Sequence, residues 1–210
     1  MTAAESKRFQ DPVLVVRKRP KPGERREQIL QTLAAMLEQS SAERITTAAL
    51  AARLDVSEAA LYRHFASKAQ MFEGLIDFIE HTIFSLITKI ADRQSVAGSS
   101  EQAHQIVSMV MQFAEKNPGL ARVMVGDALV FENERLQQRI NQLFDKIEAS
   151  LRQVLRDVAN LRASDTPTLD AQVRASVLAA FLVGRLQRFA RSNFKRLPSE
   201  HLSASLTMLG

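Results

Sequence analysis

Between Thr46 and Lys68 the chain reads TTAALAARLDVSEAALYRHFASK, and no other run constrains the fold as tightly. Leu50, Ala51 and Leu54 recur at helical spacing, which predicts a short helix with one apolar face, N-capped by Thr46 or Thr47. Asp55 stands where the chain must turn, and Asp tolerates left-handed backbone better than most residues. Val56 is placed to fill the angle between two helices. Ser57 reads as the N-cap of a second helix running to about Phe65, with Leu61 and Phe65 facing inward. Ala59, Tyr62 and Arg63 fall on another face. Ser67, three residues before Gln70, has the form of a capping box that opens the next helix. Two helices joined by a short turn suit a unit in which the first braces the second in the major groove of DNA. The same parts also fit an ordinary helical hairpin in an all-α core.

The rest of the 210 residues reads as helix as well, so an all-α fold is expected. A first helix is predicted over Glu24–Gln39, with Ile29, Leu33, Met36 and Leu37 inward, then a loop at Ser40–Glu43. A helix starting near Lys68 extends to Asp92, and Gln94–Ser100 is a loop containing Gly98. The next helix spans about Glu101–Lys116. Asn117 is expected to cap a new start, with Pro118 at the first helical position. The longest segment covers about Glu134–Arg162. There Leu136, Ile140, Leu143, Ile147, Leu151, Val154, Val158 and Leu161 recur every three or four residues and make one stripe. Ser164–Thr168, with Pro167, breaks it. A further helix runs from Leu169 to about Ser192, with Val173, Val177, Ala180, Leu182 and Phe189 available for packing. Ser199 is a candidate cap for a last short helix.

Composition narrows the chemistry. The absence of cysteine removes disulfides, thiol catalysis and thiolate-held zinc, and suits a reducing cytoplasm. The four histidines, His64, His81, His104 and His201, are scattered, none in a metal-ligand spacing, and there is no phosphate-binding loop. No enzyme activity, metal or cofactor is therefore expected. The apolar run Val13–Val16 is too brief for a signal peptide, and no stretch is long and apolar enough to cross a bilayer. The net charge of +5 favours polyanions, and its distribution says more. Arg17, Lys18, Arg19, Lys21, Arg25 and Arg26 cluster before the first strong helix, while Pro12, Pro20, Pro22 and Gly23 keep the preceding segment from being helical. Residues 1–23 read either as a mobile basic arm for phosphates or the minor groove, or as a solvated tail.

Leu61, Tyr62, Arg63, His64 and Phe65, followed by Ser67 and Lys68, resemble the signature of TetR-type regulators. Asp55 replaces the usual glycine of that family and Ala66 a common proline. Three stretches, RREQILQTLAAMLEQ, SEAALYRHF and Asn117–Arg156, are similar to the nucleoid-occlusion branch of the same family, across roughly Arg25–Lys195. The resemblance implies a helix-turn-helix head over 24–68 and a helical body over 69–210 that dimerises through its last long helices. It implies binding of palindromic double-stranded DNA in the cytoplasm, on the nucleoid. It further implies a partner, the tubulin-like division protein FtsZ, whose ring assembly would be antagonised there. The wider family offers an alternative: a transcriptional repressor released by a small molecule, here held among Met109, Met111, Phe113, Met124 and Phe131.

Residue chemistry suggests who would touch DNA. Thr46 and Thr47 are candidates for phosphate contacts. Ser57, Glu58, Ala59 and Arg63 are placed for base edges, Arg63 gripping a guanine and Ala59 touching a thymine methyl. Tyr62, His64 and Lys68 are candidate phosphate positioners. His64 could instead be a partly buried, satisfied histidine, and Glu58 could simply favour the helix dipole. For the division partner, Phe78 lies about a quarter-turn off the core stripe of its helix, with Lys89 near the same line. Met109, Gln112 and Lys116 share a face of the following helix. Together they would form a partly apolar, basic groove for the acidic-apolar tail of FtsZ; the alternative packs Phe78 against the head and leaves the lysines solvated.

Overall fold

The computed structural model describes residues 23–39, 45–92, 99–161 and 165–209. Among them there is no strand, and the helices follow in the order α1 (Glu24–Gln39), α2 (Thr47–Arg53), α3 (Glu58–Tyr62), α4 (Lys68–Ala91), α5 (Ser99–Lys116), α6 (Pro118–Met124), α7 (Glu134–Leu161), α8 (Pro167–Arg191) and α9 (Leu202–Leu209), with one 3-10 turn at Asp127–Leu129. The expected loop at Ser40–Glu43, most of that at Gln94–Ser100 and the arm before Gly23 lie outside the described residues.

Local chemistry fixes most boundaries. Thr46 caps α2, its hydroxyl accepting from the Ala49 amide at 3.1 Å, and Ser57 caps α3 by accepting from Ala60 at 3.3 Å. Asp55 takes φ 54°, the left-handed turn residue its position requires. Ser67 caps α4 through the Gln70 amide, but the Gln70 carboxamide accepts from Ala66, one residue before the cap, at 2.8 Å.

Several boundaries differ from expectation. The regular part of α3 stops at Tyr62, not Phe65. The amides of His64 and Phe65 both reach back to the Leu61 carbonyl, a tightened last turn that swings Phe65 under the head. Ser99 and Ser100 belong to α5, because a first helical turn needs no apolar periodicity. The break between α7 and α8 is present, but it ends earlier than Thr168: Pro167 opens α8 at the first position, where its missing N–H costs nothing. Asn117 precedes α6 without capping it by side chain, since its amide donates instead to the Phe113 carbonyl at 2.8 Å and closes α5. Ser199 is not the cap of α9, which begins three residues later; its amide donates to Glu115 on α5 at 2.8 Å.

α7 and α8 pack along each other, α5 lies on α7 and α4, and α6 presses on α1. The last approach depends on Gly119: a Cβ there would stand 2.0 Å from the Ala34 carbonyl oxygen. One apolar core runs from Leu61 and Phe65 in the head, through Met71, Leu75 and Ile79 of α4, to Leu143 and Ile147 of α7 and Leu182 of α8. Burial of a side chain such as Phe65 contributes about 2 kcal/mol. Head and body thus share a core across Lys68.

Candidate nucleic-acid interface

The head presents one exposed face. Thr46, Ser57, Glu58, Ala59, Tyr62, Arg63 and His64 are exposed, Thr47 and Lys68 half-buried. Leu61 and Phe65, each 1% exposed, anchor the opposite side of the same short segment. Helical periodicity thus divides α3 cleanly into an inner and an outer row. His64 is solvent-facing, which removes the buried-histidine alternative; its carbonyl accepts from Arg26 Nη1 at 3.1 Å.

Three candidate DNA residues, Thr47, Glu58 and Lys68, have side-chain partners on another element, and the hydroxyls of Thr46 and Ser57 are engaged as helix caps. The Thr47 hydroxyl donates to the Glu58 carboxylate at 2.5 Å, tying the start of α2 to the start of α3. Lys68 pairs with Glu132, a residue of the connection before α7, and its ammonium lies 5.6 Å from the centre of the Phe72 ring. Glu132 carries no local sequence signal, being 64 residues away. Arg26 does carry one: it stands three residues before buried Ile29, so it shares that side of α1, although it is itself exposed. Its place in a run of basic residues groups it instead with the arm.

Below the head, α4 is laced to α7. Arg139 donates to Asp77 at 2.9 Å and to Glu80 at 2.6 Å, while Lys146 reaches Glu80 at 3.4 Å. Burial opposes the charge on Arg139, but hydrogen bonds and Coulomb attraction from the two carboxylates prevail, and its pKa is raised.

The residues proposed for one partner groove divide among several surfaces. Phe78, 52% exposed, and Lys116 share a depression of about 520 Å3 between α1, α4 and α6, floored by Leu30, Ala34, Leu75 and Leu120 and edged by Glu27 and Glu38. Met109 and Gln112 line a different, more polar depression between α5 and α9. Lys89, exposed near the far end of α4, lines neither. The residues suggested for a small-molecule pocket do not converge either: Met111 and Met124 are packed in the core, whereas Phe131 is 68% exposed.

On α8, Leu182 and Phe189 are buried as expected, but Val173 and Val177 are 54% and 43% exposed, and Ala180 is exposed. With Leu169 they form an outward apolar row at spacings of four, four and three. Gly184 extends it, with open space where a Cβ would stand.

A short helix-turn-helix carried on a long-helix body defines a TetR-type DNA-binding regulator. The model of "Bacterial regulatory proteins, tetR family" matches residues 29–75, and that of "Tetracyclin repressor-like, C-terminal domain", of SlmA-like type, matches residues 100–210. The nucleoid occlusion factor SlmA of Idiomarina loihiensis is 52% identical over 86% of this chain and 90% of its own length. That of Vibrio cholerae is 50% identical over 88% of this chain and 93% of its own. The chain belongs to the SlmA family of nucleoid occlusion factors within the TetR-type regulators. Among solved structures, the fatty acid degradation regulator FadR of Bacillus halodurans superimposes with a TM-score of 0.71 over 90% of this chain and 96% of its own, at 16% identity, a likeness of fold alone.

Proposed function

We propose that the protein binds palindromic chromosomal sites as a two-fold dimer and, so placed, antagonises FtsZ ring assembly over the nucleoid. The observation that carries this reading is the identity of 52% and 50% to two SlmA proteins across both head and body. In this proposal residues 24–68 read DNA and residues 69–210 dimerise and take the partner, in the cytoplasm, with 1–23 adding phosphate contacts. No helix among the described residues is long and apolar enough to cross a membrane.

The exposed row of α3 supports major-groove reading by Ser57, Glu58, Ala59 and Arg63. Thr46, Tyr62 and His64 are exposed and can approach phosphates, whereas Thr47 and Lys68 must first exchange Glu58 and Glu132 for DNA. The outward row of α8 supplies an isologous surface, on which a second copy would cover the same residues. Exposed Phe78 over an apolar floor suits the apolar part of an extended tail such as that of FtsZ, and Lys116 its acidic part, on the side of the depression away from Glu27. Met109, Gln112 and Lys89 would be met only by a segment continuing along α5 and α4.

Genome-wide occupancy of the tagged protein tests the reading. Many palindromic sites spread over the chromosome and sparse near the terminus are expected. A few sites beside promoters would replace the proposal with a ligand-responsive repressor.

A further inference from the structure

We propose that Arg26 is a positioning residue for DNA reading: from α1 it holds the exit of α3 through the His64 carbonyl and the Phe65 ring, and does not itself grip DNA. The inference rests on the reading of the chain as a sequence-specific DNA-binding protein.

Arg26 Nη1 donates to the His64 carbonyl at 3.1 Å, and its guanidinium carbon lies 4.1 Å from the centre of the Phe65 ring. Carbonyls at a helix end lack intrahelical donors, so an external donor there fixes where the end points. A guanidinium can do both jobs at once, donating in its plane while its face rests on a ring. Phe65 has little room to shift. It is 1% exposed and packed within the apolar core.

The need for such a hold follows from length. α3 has five residues, too few to persist as a helix by itself. Its entrance is fixed by the Ser57 cap and by the bond from Thr47 to Glu58. Its exit is fixed by Arg26. The angle at which Ala59 and Arg63 meet base edges is set by these two ends together, so a change at Arg26 would alter reading without removing a DNA contact.

The test compares wild type with Arg26→Gln and Arg26→Lys by fluorescence anisotropy across a salt series. The probes are a duplex that the wild type selects from a randomised pool and a scrambled duplex of equal composition. For Arg26→Gln, affinity for the selected duplex is expected to fall about ten-fold, with little change on the scrambled one and an unaltered salt slope. Arg26→Lys should recover little, because lysine lacks the planar fork. An equal loss on both duplexes, with a salt slope lower by about one and rescue by lysine, would make Arg26 a phosphate contact and overturn the proposal. No change on either duplex would overturn it too. Should Arg26→Gln fail to fold, Arg26→Lys alone decides, since a phosphate contact survives that change and the stacked geometry does not. A wild type that cannot tell the two duplexes apart would instead defeat the reading of sequence-specific binding.

Discussion

Lys68 and Glu132 form an ion pair across the junction of head and body, with side chains only 18% and 8% exposed. The first residue of the helix that leaves the reading unit is thereby tied to the connection before α7. Partial withdrawal from water weakens salt screening and makes loss of one partner costly. Glu132→Gln should destabilise the protein by about 2 kcal/mol in urea unfolding. It should also strengthen non-specific DNA binding, since it frees a cation beside the reading face. An unchanged urea midpoint would mean that the pair contributes nothing.

Gly119→Ala reverses the usual sign of a helical substitution. In an open helix the change adds up to about 1 kcal/mol. Here the new methyl meets the Ala34 backbone oxygen, so α1 and α6 must part. A loss of about 2–3 kcal/mol in chemical denaturation is expected. A more stable variant would show that the two helices are free to separate.

Arg63→Ala should weaken binding to the selected site by about 1–3 kcal/mol and relax discrimination at one base position. Binding across a set of single-base variants of the site measures this. A uniform loss over the whole set would move Arg63 to the phosphate class.

Val177→Glu places a carboxylate in the middle of the outward row of α8. Sedimentation equilibrium should then give a monomer with its helix content retained, because the side chain is 43% exposed and lies outside its own protomer's core. A persistent dimer would put the interface on another face.

Phe78→Ala and Lys116→Asp should keep DNA binding and lose FtsZ binding in co-sedimentation with FtsZ polymers. If both activities vanish together, these residues serve the fold and not a partner.

Features that depend on near neighbours along the chain are legible in the amino-acid sequence. Ser57 and Ser67 mark the starts of their helices, Asp55 its turn, and the stripe from Leu136 to Val154 the longest buried face. Features that depend on packing are not. Val173 and Leu182 are equally apolar, and periodicity cannot say which faces the chain's own core and which faces outward. Asn117 has capping chemistry in both directions, and the choice falls to the Phe113 carbonyl behind it. For the candidate site, the outer row of α3 follows from helical spacing. The engagement of Thr47 by Glu58 and of Lys68 by Glu132 does not, because each joins separate elements.

α4 is 24 residues of unbroken helix, a rod about 36 Å long. It carries the reading unit at one end and exposed Phe78 ten residues along. A tilt of about five degrees swings its end by about 3 Å, close to the rise of one base pair. A partner lodged at Phe78 and DNA held by the head would thus act on one and the same helix. If such an occupant changes DNA affinity by some factor, DNA must change the occupant's affinity by that same factor.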